Sequence, residues 1–169
     1  MALGGLLLTL ILYFAGFHSE AEKLGTAQTI STVGGLAIGI TFITLGIQAR
    51  RAEVPATEAF GYGRALGAGV MIGVFGSLFG IVTNFLYMHV INPGLTDLMV
   101  QAQIAKWETL GMSSERIEQA EKMMRTMMNP ALQAVFGIIV GVLFCTIISL
   151  IVAAFLKREA TEVQPPVAA

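Results

Sequence analysis

An all-α integral membrane protein is what this sequence predicts: a four-helix bundle carrying an amphipathic helical hairpin between its third and fourth spans. Two observations lead there. Of 169 residues, 55% are hydrophobic and only 12% are charged, about half the charged share of a soluble domain. Mean hydropathy is +0.75, so there is too little polar surface to cover a water-soluble globule of this size. The apolar residues also come in continuous runs, not in the alternating segments of a closed barrel. A soluble enzyme, a disordered chain and a disulfide scaffold are excluded. With net charge −1, so is a nucleic-acid partner, which demands a basic footprint.

A hydrocarbon core of about 30 Å needs roughly 20 helical residues. The first candidate span covers about 2–17, uncharged but about 24 Å long at 1.5 Å per residue. A cleaved signal peptide is the alternative, with Ser19-Glu20-Ala21 as a small-x-small site, although no Lys or Arg precedes the apolar stretch. The second span covers about 29–47, the third 65–91 and the fourth 131–156. Residues 1–158 then form a single membrane domain, and 159–169 a flexible C-terminal tail. Arg50, Arg51 and Arg64 fall between spans two and three, and Lys157 and Arg158 follow span four. Lys23, Lys106, Arg116, Lys122 and Arg125 fall on the other side, most of them away from a helix end. Weighted by proximity, the basic residues place both termini in the cytoplasm.

The segment between spans three and four is punctuated. Asn92-Pro93 and Asn129-Pro130 each set a capping side chain before a proline suited to a first helical turn. Gly111 stops one helix and Ser113 caps the next, giving helices over about 93–110 and 114–128. Glu118 with Lys122 and Glu121 with Arg125 are acid-before-base pairs at i, i+4. The opposite face of the second helix carries Ile117, Ala120, Met124 and Met127. An amphipathic hairpin of this kind lies on the membrane surface or on a partner, with Ile117, Met124 and Met127 facing it.

The order of certain segments resembles a known family. They are Phe60-Gly61-Tyr62-Gly63-Arg64-Ala65-Leu66-Gly67, Ile91-Asn92-Pro93, the run from Gly111 through Ser113-Ser114-Glu115-Arg116 to Ala120, and Ile147 to Lys157. This arrangement is similar to a bacterial family of small four-span integral membrane proteins catalogued as a domain of unknown function. The resemblance implies four helices in a bacterial inner membrane and brings no reaction with it.

Glycine is the strongest signal inside the spans. Gly69, Gly73, Gly76 and Gly80 share one face of span three, Gly35 and Gly39 sit in span two, and Gly137 and Gly141, followed by Cys145, in span four. Small residues four apart let helix backbones approach closely in lipid, where packing drives association. All eight glycines are therefore expected at helix contacts, within one chain or with a second copy or another subunit. Arg50, Arg51 and Arg64 are expected at the interface, with anionic headgroups in reach.

Catalysis has no foothold. No span holds an internal Asp or Glu, the usual mark of a proton or ion path. Gly61-x-Gly63-x-x-x-Gly67 departs from the dinucleotide fingerprint by one residue and follows no strand. Met123, Met124, Met127 and Met128 are thioethers that could serve Cu(I), but Met more often fills an adaptable apolar face. His18 and His89 lack an acidic cluster that would make a metal site, and a lone Cys145 acts as a small hydrophobe. Asn84 wants a partner helix. The expectation is no enzyme, no cofactor and no metal, with membrane lipid and either a homo-oligomer or other membrane subunits as partners. A non-catalytic subunit or scaffold follows, with an oligomeric small-solute or ion transporter as the alternative.

Overall fold

The computed structural model describes residues 1–161 and contains six α-helices. They are α1 (Ala2–Phe14), α2 (Leu24–Ala52), α3 (Tyr62–Leu86), α4 (Leu95–Thr109), α5 (Ser114–Met127) and α6 (Pro130–Leu156). A 3-10 turn over Ala21–Lys23 leads into α2, and a π-helical turn over Tyr87–Ile91 extends α3. Most of the tail expected over 159–169 lies outside the described residues.

Three helices are long and apolar enough to cross a membrane: Ala21–Ala52, Tyr62–Ile91 and Pro130–Leu156. Each presents large apolar side chains outward, such as Leu45, Phe75, Val82, Ile139 and Phe155. Helices that are apolar on their outer faces are built for lipid, not water.

The first helix is shorter than the span expected over 2–17. It has 13 residues, about 20 Å, and Gly16, at φ +81°, turns the chain in the left-handed region. Met1 lies against Gly76 near the middle of α3, with its Cε 3.0 Å from where a Cβ on that glycine would stand. At the other end Tyr13 meets Tyr87 edge-on at 6.2 Å. So α1 lines about half the height of α2 and α3.

The centre of the structure is the antiparallel crossing of α3 and α6. Small residues step by four along α3 (Ala65, Gly69, Gly73, Ser77) and by four in the opposite direction along α6 (Ala153, Ser149, Cys145, Gly141). A Cβ on Gly69 would stand 2.7 Å from Ser149 Cβ, and one on Gly73 would stand 2.5 Å from Cys145 Cβ. One on Gly141 would meet Ser77 Cβ at 3.3 Å, and Ala65 and Ala153 are fully buried. The same register continues past the helix ends. Phe60 and Arg158 exchange both backbone hydrogen bonds at 2.8 Å, and Asn84 Nδ2 donates to Gln133 Oε1 at 3.3 Å. Ile43 and Ile47 of α2 fill the third side of this core.

Three of the eight glycines expected at helix contacts make no contact within the chain. Nothing lies within 4 Å of a Cβ placed on Gly35, Gly80 or Gly137, because the helices stand apart there around cavities. Gly39 sits at ordinary contact distance, 3.5 Å, from Ile148. A close approach that sequence reading missed joins Gly34 to Leu8, 2.5 Å from its ideal Cβ.

The two Asn-Pro pairs behave differently. Asn129 accepts a hydrogen bond from the Ala131 amide at 2.9 Å, and Pro130 begins α6. Asn92 does not cap α4, which starts at Leu95 behind Gly94. The Asn92 side chain instead reaches Tyr87 and the His18 carbonyl. Ser113 occupies the residue before α5, yet its hydroxyl makes no capping bond. Between α4 and α5 the turn runs through Gly111 at φ +74°, and Arg125 ties the two helices by reaching Asp97 at 2.9 Å. Glu121 pairs with Arg125 at 2.8 Å, whereas Glu118 and Lys122 do not pair among the described residues.

Gly73→Ala is expected to destabilise the protein by about 1–3 kcal/mol, the usual cost of overpacking. Gly80→Ala has open space and should be neutral or gain up to about 1 kcal/mol from helix propensity. Thermal melting of both variants in one detergent checks the pair.

Candidate functional site

At the end of the bundle nearest α4 and α5, two cavities lie on either side of α3. One, about 310 Å³, is bounded by α1, α2 and α3, and Gly35, Gly76 and Gly80 are in its wall. The other, about 270 Å³, lies between α3 and α6, with Ser77, Gly80, Gln133, Gly137 and His89 around it. Asn84 and Met1 belong to both walls. The glycines that contact nothing thus keep these hollows open. Apart from the His89 imidazole, their polar side chains are hydroxyls and amides. Thr9 and Thr83 donate back to the carbonyls of Gly5 and Gly80, each at 3.0 Å, which leaves Asn84 and its partner Gln133 as the polar groups that bridge helices. Ser77 Oγ is buried without a hydrogen-bond partner.

Above these cavities, a three-residue network joins chain segments far apart in sequence. Tyr87, 3% exposed at the start of the π-helical turn, hydrogen-bonds to His18 Nδ1. Asn92 Nδ2 donates to the Tyr87 hydroxyl oxygen and to the His18 carbonyl, both at 3.4 Å. The Tyr87 hydroxyl oxygen thus accepts from Asn92 while sharing a hydrogen bond with His18 whose direction follows the imidazole tautomer. Burial pushes the His18 imidazole below its ordinary value of 6.5, because desolvation disfavours the charged form. His89 stands apart, stacked on Phe85 with ring centres 4.4 Å apart.

The opposite end of the bundle collects Arg50, Arg51, Arg64, Lys157 and Arg158. Arg51 donates to the Leu156 carbonyl at the C-terminus of α6, at 3.3 Å, where a cation meets the negative end of the helix dipole. Arg158 Nη2 donates to the carbonyls of Val54 and Pro55 at 2.8 and 2.9 Å, so the chain after α6 clamps the α2–α3 loop. Arg50 pairs with Glu53, and Arg64 with Glu58 at 3.3 Å. Both pairs are more than half exposed, a setting in which an ion pair is worth about 0–1 kcal/mol. Of the three arginines expected at the interface, Arg51 is engaged inside the fold, while Arg50 and Arg64 face outward.

On α5, Ile117 and Met124 are half-buried, and Met127 is 57% exposed. Met123, which sequence reading did not place on the partner-facing side, is 66% exposed, and Leu110 at the end of α4 is 70% exposed. Among the described residues, no three His, Cys, Asp or Glu side chains come together as a metal-holding group.

Long apolar helices and a close small-residue crossing define a helical membrane protein. The chain belongs to the family described as Protein of unknown function (DUF4199), which matches residues 1–158. That match takes in α1 together with every other helix. No curated protein and no solved structure matches the chain.

Because folded His18 holds its proton less tightly than the unfolded chain, the unfolded state gains protons first as pH falls through about 6.5. Stability present above that pH is therefore lost below it. Melting temperature measured from pH 8 to pH 5 should drop for the native chain. His18→Gln should flatten that dependence.

Proposed function

We propose that this chain is a non-catalytic subunit or scaffold of a membrane complex, set in a bacterial inner membrane. In this reading α2, α3 and α6 cross the membrane, α1 is a fourth helix set into it to about half its height, and the C-terminus lies in the cytoplasm. The basic residues near the ends of α2, α3 and α6 support that orientation.

One observation carries the proposal. The α3–α6 crossing engages Ala65, Gly69, Gly73 and Ser77 with Ala153, Ser149, Cys145 and Gly141 inside the chain, while the α4–α5 pair presents Leu110, Met123 and Met127 outward. Outside the spans, the surface this offers to another protein is the hairpin. Flexible Met side chains suit an adaptable contact surface. No Asp, Glu, Lys or Arg lies within 65–86 of α3 or within α6, which removes the usual means of intramembrane proton or ion handling.

Native mass spectrometry of tagged protein, extracted in mild detergent, tests this reading. It predicts other subunits at fixed stoichiometry, lost when Met123→Gln and Met127→Gln are combined and kept when Leu143→Ala alters the lipid face. Recovery of the chain with lipid alone would contradict it.

The second reading is an oligomeric small-solute or ion transporter component, favoured by the paired cavities around Asn84. It predicts flux in proteoliposomes that Asn84→Leu abolishes. A tight vesicle passing no ion or small solute would count against it.

A further inference from the structure

The face of α2 and α3 that runs from the charged end of the bundle to the start of α1 forms a groove open to one side. Two hollows make it up, each about 690 Å³, and they share Met71 and Ile72, so they are continuous. Its two ends differ in chemistry. At the charged end of the bundle it is rimmed by Arg50, Glu53, Glu58 and Arg64. Toward mid-bundle it is apolar, running past Phe75 to Phe79 until Met1 closes it. From Arg64 to Phe79 is 15 residues of α3, about 22 Å at helical rise. That is about half of a bilayer measured with its headgroups, roughly 40–45 Å. The groove therefore matches one leaflet in depth, with its charges at headgroup level.

The rim carries two guanidinium groups and two carboxylates, so it is balanced, not basic. A zwitterionic headgroup with a primary ammonium answers both signs, its phosphate toward the arginines and its N–H donors toward the glutamate carboxylates, which a quaternary ammonium cannot hydrogen-bond. An anionic headgroup would satisfy the arginines and leave its phosphate facing two carboxylates without a cation of its own. The donors for a phosphate are present. Arg64 makes its contacts to Glu58 and the Ala59 carbonyl through Nη1, and Arg50 reaches Glu53 through Nη1. The remaining guanidinium nitrogens of both side chains bond no other described residue and can form the forked contact that arginine makes with phosphate.

We propose that this groove is a binding site for an aminophospholipid of the phosphatidylethanolamine type, with headgroup on the Arg50/Glu53/Glu58/Arg64 rim and one acyl chain along Met71, Ile72 and Phe75. The site is separate from the hairpin surface and does not depend on the role proposed for it.

The test is native mass spectrometry of delipidated full-length protein offered equal amounts of phosphatidylethanolamine, phosphatidylcholine and phosphatidylglycerol with matched acyl chains. Phosphatidylethanolamine adducts should dominate. Arg64→Gln removes the charge-assisted contact and should weaken them by about tenfold. Gly67 borders the groove, and a Cβ placed on it meets nothing within 4 Å. Gly67→Leu should therefore fill the groove, weaken the adducts similarly and leave melting temperature unchanged. Lys106→Gln, on α4, should change neither. Equal retention of the three lipids, preference for phosphatidylglycerol, or phosphatidylethanolamine adducts unaffected by Gly67→Leu would overturn the proposal.

Discussion

Every other feature of this bundle is arranged around the close antiparallel approach of α3 and α6. Lipid tails are as apolar as leucine, so burying hydrophobic surface gives two helices no reason to associate within a bilayer. What remains is dispersion and weak polar contact, and both need backbones close together. Ala65, Gly69, Gly73 and Ser77 on one side, and Ala153, Ser149, Cys145 and Gly141 on the other, supply that closeness over three full turns. The register then determines the ends. It brings Phe60 to Arg158 at one end, where the loop is clamped, and Asn84 to Gln133 at the other. With this pair fixed, α2 packs across it through Ile43 and Ile47.

The glycine pattern of span three was legible because a spacing of four places residues on one helical face whatever the partner is. Which glycines touch anything was not legible. Gly73 and Gly80 look alike in sequence, yet one meets Cys145 and the other borders two cavities. The difference lies in the facing helix. On α6 the small face continues from Gly141 through Cys145 and Ser149 to Ala153, and reading that four-residue run to its end would have identified the partner of α3. The hairpin boundaries came close, since Gly111 and Pro130 act locally. Asn92 defeated the same local logic that worked for Asn129, because Tyr87 and the His18 carbonyl, far away in sequence, claim its amide. The height of α1 depends on where Met1 packs, a tertiary fact that composition does not carry.

The site follows the same division. Hydroxyls that donate to their own helix, such as Thr41 to the Ala37 carbonyl at 2.8 Å, are silent. Of the His18–Tyr87–Asn92 network the sequence showed only His18, weighed as a metal ligand, and Asn92, expected as a helix cap. It matters because it fastens the α1–α2 connection to the π-helical turn from which α4 departs, and so couples the core to the hairpin outside the spans. The proposed scaffold role needs that coupling, since a docking surface loosely attached to its bundle would transmit no position.

The register of α3 against α6 is best measured by cysteine cross-linking in membranes. Ser77→Cys combined with Gly141→Cys, in a Cys145→Ala background, should form a disulfide within one chain under a membrane-permeant oxidant. The predicted Cβ atoms stand 3.3 Å apart, close to the separation of about 3.5–4.5 Å that a disulfide uses. Phe79→Cys combined with Gly141→Cys should not link, because Phe79 is 64% exposed on the outer face. Linkage of the second pair, or a first pair that joins two chains instead of one, would contradict the account.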